Sequence, residues 1–169
     1  DAQESRGLGD VYKRQFFGLR ISDLLTLTWS MLLDNEKFVI TEQKTGKRRE
    51  IRVNCNFQKH IADCYKSLGV VDKNEKCFLS RKRTVYSTQR INVLFKSMKS
   101  KYNLKIEHFS THSMRKTFGR QVVEAAGENS EFALIKLSEL FNHADIQTTR
   151  RYLGLRSQEL LETYDMLNF

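Results

Sequence analysis

The chain has 169 residues, 40% of them hydrophobic and 29% charged, which fits one folded domain and excludes an intrinsically disordered composition. Lysine and arginine number 29 against 20 acidic residues, a net charge of +9 with a pI near 9.6. No apolar run has the length of a membrane span and nothing resembles a secretory signal, while the positive surplus suits a polyanion: nucleic acid, or the surface of an anionic membrane.

Residues 1–15 (DAQESRGLGDVYKRQ) are polar and aperiodic, and DVYKRQ resembles the translation of the transposon mosaic end used in sequencing libraries. The expectation is a non-native artefact or a disordered tail, followed by a single domain over residues 16–169. Three basic residues in the tail (Arg6, Lys13, Arg14) balance three acidic ones (Asp1, Glu4, Asp10), so the +9 belongs to the domain.

From 19 to 33, Ile21, Leu24, Leu25, Leu27 and Leu32 recur at broadly helical spacing, with Ser22 and Asp23 suited to a first turn. Residues 38–41 and 50–53 read as the strands of a hairpin, joined by the turn chemistry of Lys44-Thr45-Gly46-Lys47. A helix is expected over 57–68, closed by Gly69, and Cys77-Phe78-Leu79 reads as a short strand or a buried link. After Thr88, the residues Ile91, Leu94, Phe95, Met98 and Tyr102 share one helix face. The next helix opens near Thr111 or His112, buries Met114, Phe118, Val122 and Ala125, and stops at Gly127. Asn129-Ser130 caps a helix bearing Leu134, Leu137 and Phe141, and Asp145 caps a short one reaching Tyr152. Ser157 opens a last helix with Leu160, Leu161 and Tyr164. The sum is mostly α with a small antiparallel β-sheet. Tyr65, Tyr102 and Tyr164 read as core residues, and the thiols of Cys55, Cys64 and Cys77, odd in number and without CxxC spacing, as reduced.

Acidic clusters with the spacing of a two-metal nuclease are absent from the sequence. Phosphodiester chemistry would then need a protein nucleophile, cationic donors for the phosphoryl oxygens and an acid for the leaving oxygen. Four segments supply such groups in order: Gly18-Leu19-Arg20-Ile21-Ser22-Asp23-Leu24, Gln43-Lys44-Thr45-Gly46-Lys47, Thr111-His112-Ser113-Met114-Arg115, and the run from Leu140 through Asn142-His143 to Arg150-Arg151-Tyr152. Together these resemble the arginine, hairpin-lysine, HxxR and closing histidine–tyrosine boxes of the tyrosine-type site-specific DNA recombinases, the phage integrases. Three departures stand out: Lys116 where many relatives have a second histidine, Asn142 for the usual glycine, and Phe141 where a small turn residue is common. The asparagine fits if that position needs a positive φ.

The resemblance implies the fold of that family's catalytic domain and a set of roles. Tyr152 would be the nucleophile, Arg20 and Arg115 would bind the non-bridging oxygens, and His143 would add a hydrogen bond to the phosphate. Lys44 would protonate the leaving 5′-oxygen, His112 would assist as acid or base, and Asp23 would orient a neighbouring cation. Lys47, Arg48, Lys116, Arg150 and Arg151 are candidate contacts to double-stranded DNA. No metal or other cofactor is implied. The resemblance further implies a cytoplasmic, nucleoid-associated enzyme of bacterial or phage origin, a core-binding domain N-terminal to this one, and a synaptic tetramer on DNA formed by domains that are monomeric in isolation. Taken singly, each residue has a plainer reading, as a surface cation, an exposed turn or a core tyrosine. Two other functions stay open at this level: a catalytically silent DNA-binding fragment, and a topoisomerase-like single-tyrosine enzyme.

Overall fold

A computed structural model of the chain describes residues 17–155, 161 and 164–165. The segment 1–15 and most of the expected final helix lie outside the described residues. Contacts group into two compact units, the first ending at Met114 and the second beginning at Arg115. The boundary falls inside a helix, with no glycine- or serine-rich linker to mark it in the sequence.

In the first unit the apolar run over 19–33 forms two short helices, not one: α1 (Ile21–Leu24) and α2 (Trp29–Leu33). The interruption has a local cap and a distant cause. Thr28 is extended at φ −107° and ψ 160°, and its side chain accepts the Met31 amide to cap α2. The freed backbone is taken up by the segment before Phe78: the Cys77 amide donates to the Leu27 carbonyl at 2.9 Å and Lys76 Nζ to the Thr26 carbonyl at 2.6 Å. Leu24, Leu25, Leu27 and Leu32 are all buried, so the run is apolar because it is covered on several sides.

Strands β1 (Lys37–Thr41) and β2 (Arg48–Arg52) form the expected antiparallel hairpin, with Phe38 opposite Ile51 and Ile40 opposite Arg49. Alternation points Phe38 and Ile40 inward, and Glu42 continues that stripe beyond the strand end, also buried. Helix α3 (Cys55–Ser67) is capped by Asn54, whose side chain accepts the Phe57 amide at 2.8 Å, and ends at Gly69 with φ +61°. Helix α4 (Thr88–Lys101) is capped by Ser87. Residues 77–79 are a link with isolated bridges, Leu79 pairing with Val85. The core gathers Leu19, Trp29, Phe57, Ile61, Ile91 and Phe95, and Phe17 meets both Phe38 and Phe57 edge-on. Full burial of an Ile61-sized side chain contributes roughly 1.5–3 kcal/mol.

Helix α5 (Thr111–Ala126) carries the HxxR segment and stops before Gly127, which has φ +52°. A 3-10 turn over Gly127–Asn129 leads into α6 (Ser130–Phe141), and α7 (Ile146–Leu153) follows. The second core is built from Leu134, Leu137, Phe141 and Leu153, with Phe118 and Val122 against it. Several expectations need correction. Asn129 occupies the cap position of α6, but its side chain makes no capping bond because its backbone, at ψ 19°, follows directly from the 3-10 turn. Ala125 is exposed, at the end of α5 beyond the second core. Tyr102 is the residue after α4 and is exposed, since the helix ends before it can turn inward. Tyr164 and Leu161 are exposed as well, whereas Tyr86, unassigned from the sequence, is buried.

Candidate functional site

The six proposed catalytic side chains divide between the units. Arg20, Lys44 and His112 belong to the first; Arg115, His143 and Tyr152 belong to the second. His112 and Arg115 lie one turn apart on α5, His112 exposed and Arg115 buried.

In the first unit Arg20 is the residue before α1, and its carbonyl accepts the Asp23 and Leu24 amides at 3.0 and 2.9 Å. Its guanidinium donates through Nη1 to Glu42 Oε2 at 2.8 Å. The same oxygen accepts the Thr45 hydroxyl at 2.8 Å, and Glu42 Oε1 lies 3.8 Å from Arg49 Nη1. Burial pushes the Glu42 carboxyl upward, but hydrogen bonds from Thr45 and Arg20 and the charges of Arg20 and Arg49 outweigh it. The group therefore sits below its ordinary value of 4.5. Asp23, also buried, accepts the Gln43 amide on Oδ1 at 2.8 Å, so it fixes the start of the turn that carries Lys44. That turn runs from Glu42 to Lys47 and reverses at Gly46, where φ is +68°. Lys44, Lys47 and Arg48 are all exposed on it or beside it.

The second unit is organised around one ring. Phe141, fully buried, has the Arg115 guanidinium 4.3 Å from its centroid, and its carbonyl accepts Arg115 Nη2 at 3.1 Å. The same ring meets His143 at 5.5 Å and Tyr152 at 5.7 Å, and the His143 and Tyr152 rings are 5.3 Å apart. All three contacts are edge-on, the geometry in which a ring's positive edge meets a neighbour's negative face. Asn142 makes this possible by adopting the left-handed conformation (φ 53°, ψ 49°), which turns the chain so that His143 folds back toward α6. The His143 amide then donates to the Ser138 carbonyl at 3.0 Å. Asp145 caps α7 through the Thr148 amide at 2.6 Å, and Lys116 Nζ lies 5.4 Å from the Tyr152 ring centre. Arg150 is ion-paired with Glu131, while Arg151 is exposed.

Glu42, Thr45, Thr149 and the packing role of Phe141 were not singled out from the sequence. For Glu42 a signal existed, since an acid on the inward stripe of a strand must find cations.

The family model described as "Phage integrase family" matches residues 16–159. Among curated proteins, the chain is 29% identical over 137 residues to the probable integrase/recombinase YoeC of Bacillus subtilis, covering 81% of this chain and 71% of that protein. It is 26% identical over 148 residues to tyrosine recombinase XerC of Xanthomonas campestris, covering 88% of this chain and 44% of that protein. The chain thus spans less than half of the XerC relative. Among solved structures it resembles XerA recombinase (TM-score 0.66, 19% identity, 99% of this chain and 60% of that one). It also resembles the Tn1549 transposon integrase in complex with a circular intermediate DNA (TM-score 0.63, 22% identity, 89% and 54%). A third is XerH site-specific recombinase bound to palindromic difH substrate after cleavage (TM-score 0.63, 20% identity, 95% and 46%). The fold is that of tyrosine recombinase catalytic domains. Among the described residues, no helix is long and apolar enough to cross a membrane.

Proposed function

The chain belongs to the phage integrase family, and from that premise we propose that it is the catalytic domain of a site-specific recombinase that cuts and rejoins duplex DNA through Tyr152. The observation that supports this reading is the convergence of Arg115, His143 and Tyr152 on the Phe141 ring, which brings together a guanidinium, an imidazole and a phenol of the kinds such chemistry needs.

The Tyr152 phenolic oxygen attacks phosphorus, forming an O–P bond as the bond from phosphorus to the 5′-oxygen breaks. The departing oxygen takes a proton from the Lys44 ammonium, and the phenolic proton passes to a base, the role assigned to His112. The product is a 3′-phosphotyrosine and a free 5′-hydroxyl. Because the ester keeps the bond energy, a second 5′-hydroxyl reverses the step without nucleotide hydrolysis. Arg20 and Arg115 neutralise the non-bridging oxygens, for which a guanidinium fork is well shaped. Loss of one such preorganised donor raises the barrier by about 3–4 kcal/mol. With His143 Nδ1 engaged by Thr149, Nε2 is the nitrogen assigned to the phosphate. Lys47, Arg48, Lys116 and Arg151 are assigned to the DNA backbone. Arg150 would have to exchange its surface pair with Glu131, an interaction worth about 1 kcal/mol or less. Synaptic assembly with further protomers and a nucleoid-associated, cytoplasmic location belong to the same proposal.

The test uses a pool of nicked suicide duplexes with a randomised core. The reading expects protein linked to the 3′ side of the break and a 5′-hydroxyl that polynucleotide kinase can label. Linkage to the 5′ side overturns it, and binding without linkage points to the silent DNA-binding fragment. Relaxation of supercoils irrespective of sequence would point to the topoisomerase-like enzyme.

A further inference from the structure

Glu42 lies at the foot of an exposed turn, where a buried carboxylate is costly unless several donors surround it. The donors present are informative. One oxygen of Glu42 binds both Arg20 and Thr45, each at 2.8 Å, and the Asp23 carboxylate binds the amide of Gln43 at 2.8 Å. Gln43 and Thr45 are the two neighbours of Lys44 in the chain. Lys44 is therefore bracketed by residues tied to carboxylates, and one of those carboxylates also holds Arg20.

We propose that Glu42 and Thr45 are positioning residues, forming a clamp that sets the Lys44 turn in fixed register with Arg20. The inference rests on the roles given to Lys44 and Arg20 above. Two backbone hydrogen bonds close the six-residue turn, from the Glu42 amide to the Lys47 carbonyl and from the Gly46 amide to the Glu42 carbonyl, but neither holds Gln43, Lys44 or Thr45, and a lysine side chain has four rotatable bonds. A general acid must come within hydrogen-bonding distance of the oxygen it protonates. Pinning the chain on both sides of Lys44, through the Gln43 amide and the Thr45 hydroxyl, removes turn motion from that search, while Arg20 keeps its own bond to Glu42 when the Thr45 hydroxyl is lost. The plainer view is that Glu42 only satisfies Arg20 and Arg49, with Thr45 an incidental third donor. It predicts no special link between Thr45 and proton transfer.

The experiment measures single-turnover cleavage by the full chain on two suicide duplexes, one with an ordinary phosphodiester and one with a 5′-bridging phosphorothiolate. A thiolate leaves without protonation, so a defect in acid catalysis disappears on the second substrate. The variants are Thr45→Val, which keeps shape and removes the hydroxyl, Thr45→Ser as conservative rescue, and Lys44→Ala as comparator. Thr45→Val should cleave the phosphodiester about ten- to a hundredfold more slowly, the scale of a small misplacement of a catalytic group. On the phosphorothiolate it should approach the wild-type rate, and Thr45→Ser should recover most of the loss on the phosphodiester. Equal defects on both substrates, or none on either, overturn the clamp. Equal defects for Lys44→Ala overturn the assignment of Lys44 itself, and absence of wild-type cleavage on both substrates overturns the functional reading beneath it.

Discussion

Nδ1 of His143 lies 2.9 Å from the hydroxyl of Thr149, a residue with no solvent exposure. Thr149 is three residues before Tyr152 on α7, so the helix that carries the proposed nucleophile also orients the histidine. Replacing Thr149 with valine keeps the volume and removes the partner of that ring nitrogen. Cleavage by Thr149→Val should slow by about tenfold, equivalent to about 1.4 kcal/mol in the barrier. Thr149→Ser should stay close to wild type. Rates on a suicide duplex, compared at matched fractions of folded protein, check this.

Gly119 on α5 is buried against α7. A Cβ there would stand 2.5 Å from Leu153 Cδ2 and 3.2 Å from the Phe141 ring. Alanine in a helix interior normally gains about 1 kcal/mol over glycine. Here the overlap should reverse the sign, and Gly119→Ala should lose about 1–3 kcal/mol. Urea unfolding measures it, and a stabilised variant would contradict the packing described.

The lowered pKa of Glu42 makes a pH prediction with a definite sign. A carboxyl depressed in the folded state contributes stability that is complete above its unfolded value and lost as pH falls through the folded one. The stability difference between wild type and Glu42→Gln should therefore be steady near neutrality and shrink below about pH 4.5, the ordinary glutamate value. Denaturant titrations from pH 7 to pH 3 would show it. A difference that grows on acidification would contradict the network around Glu42.

The net charge of +9 and the exposed Lys44, Lys47, Arg48 and Arg151 point to binding through phosphates. The affinity of the chain for duplex DNA should fall steeply with salt, by about 0.9 logarithmic units per decade for each phosphate neutralised. Fluorescence anisotropy at several salt concentrations measures the slope. A flat response would remove phosphate contacts from the account.

Much of this was legible in the sequence because local chemistry decided it. Asparagine at position 142 fits a positive φ, and it has one; Asp145 has the chemistry of a cap, and its side chain accepts the Thr148 amide. The hairpin follows from two short strand-like runs on either side of turn residues, and the family from four boxes in order. What escaped depends on distant parts of the chain. The break between α1 and α2 is made by residues 73–77 bonding to the backbone over 26–30, which no local period reports. Phe141 looked out of place beside its turn, yet its ring is where Arg115, 26 residues earlier, packs together with His143 and Tyr152. Glu42 escapes because the strand expected from the sequence ends at residue 41, although its period of two carried one residue further places the acid on the inward face.

The central claim is that the Tyr152 oxygen becomes covalently joined to DNA. Wild type and Tyr152→Phe, each incubated with nicked suicide duplex and resolved on a denaturing gel, test it most directly. The account predicts a protein–DNA adduct for wild type and none for Tyr152→Phe, with duplex binding by the two nearly equal because only one oxygen is lost. An adduct that survives in Tyr152→Phe would contradict it and pass the nucleophile to another residue.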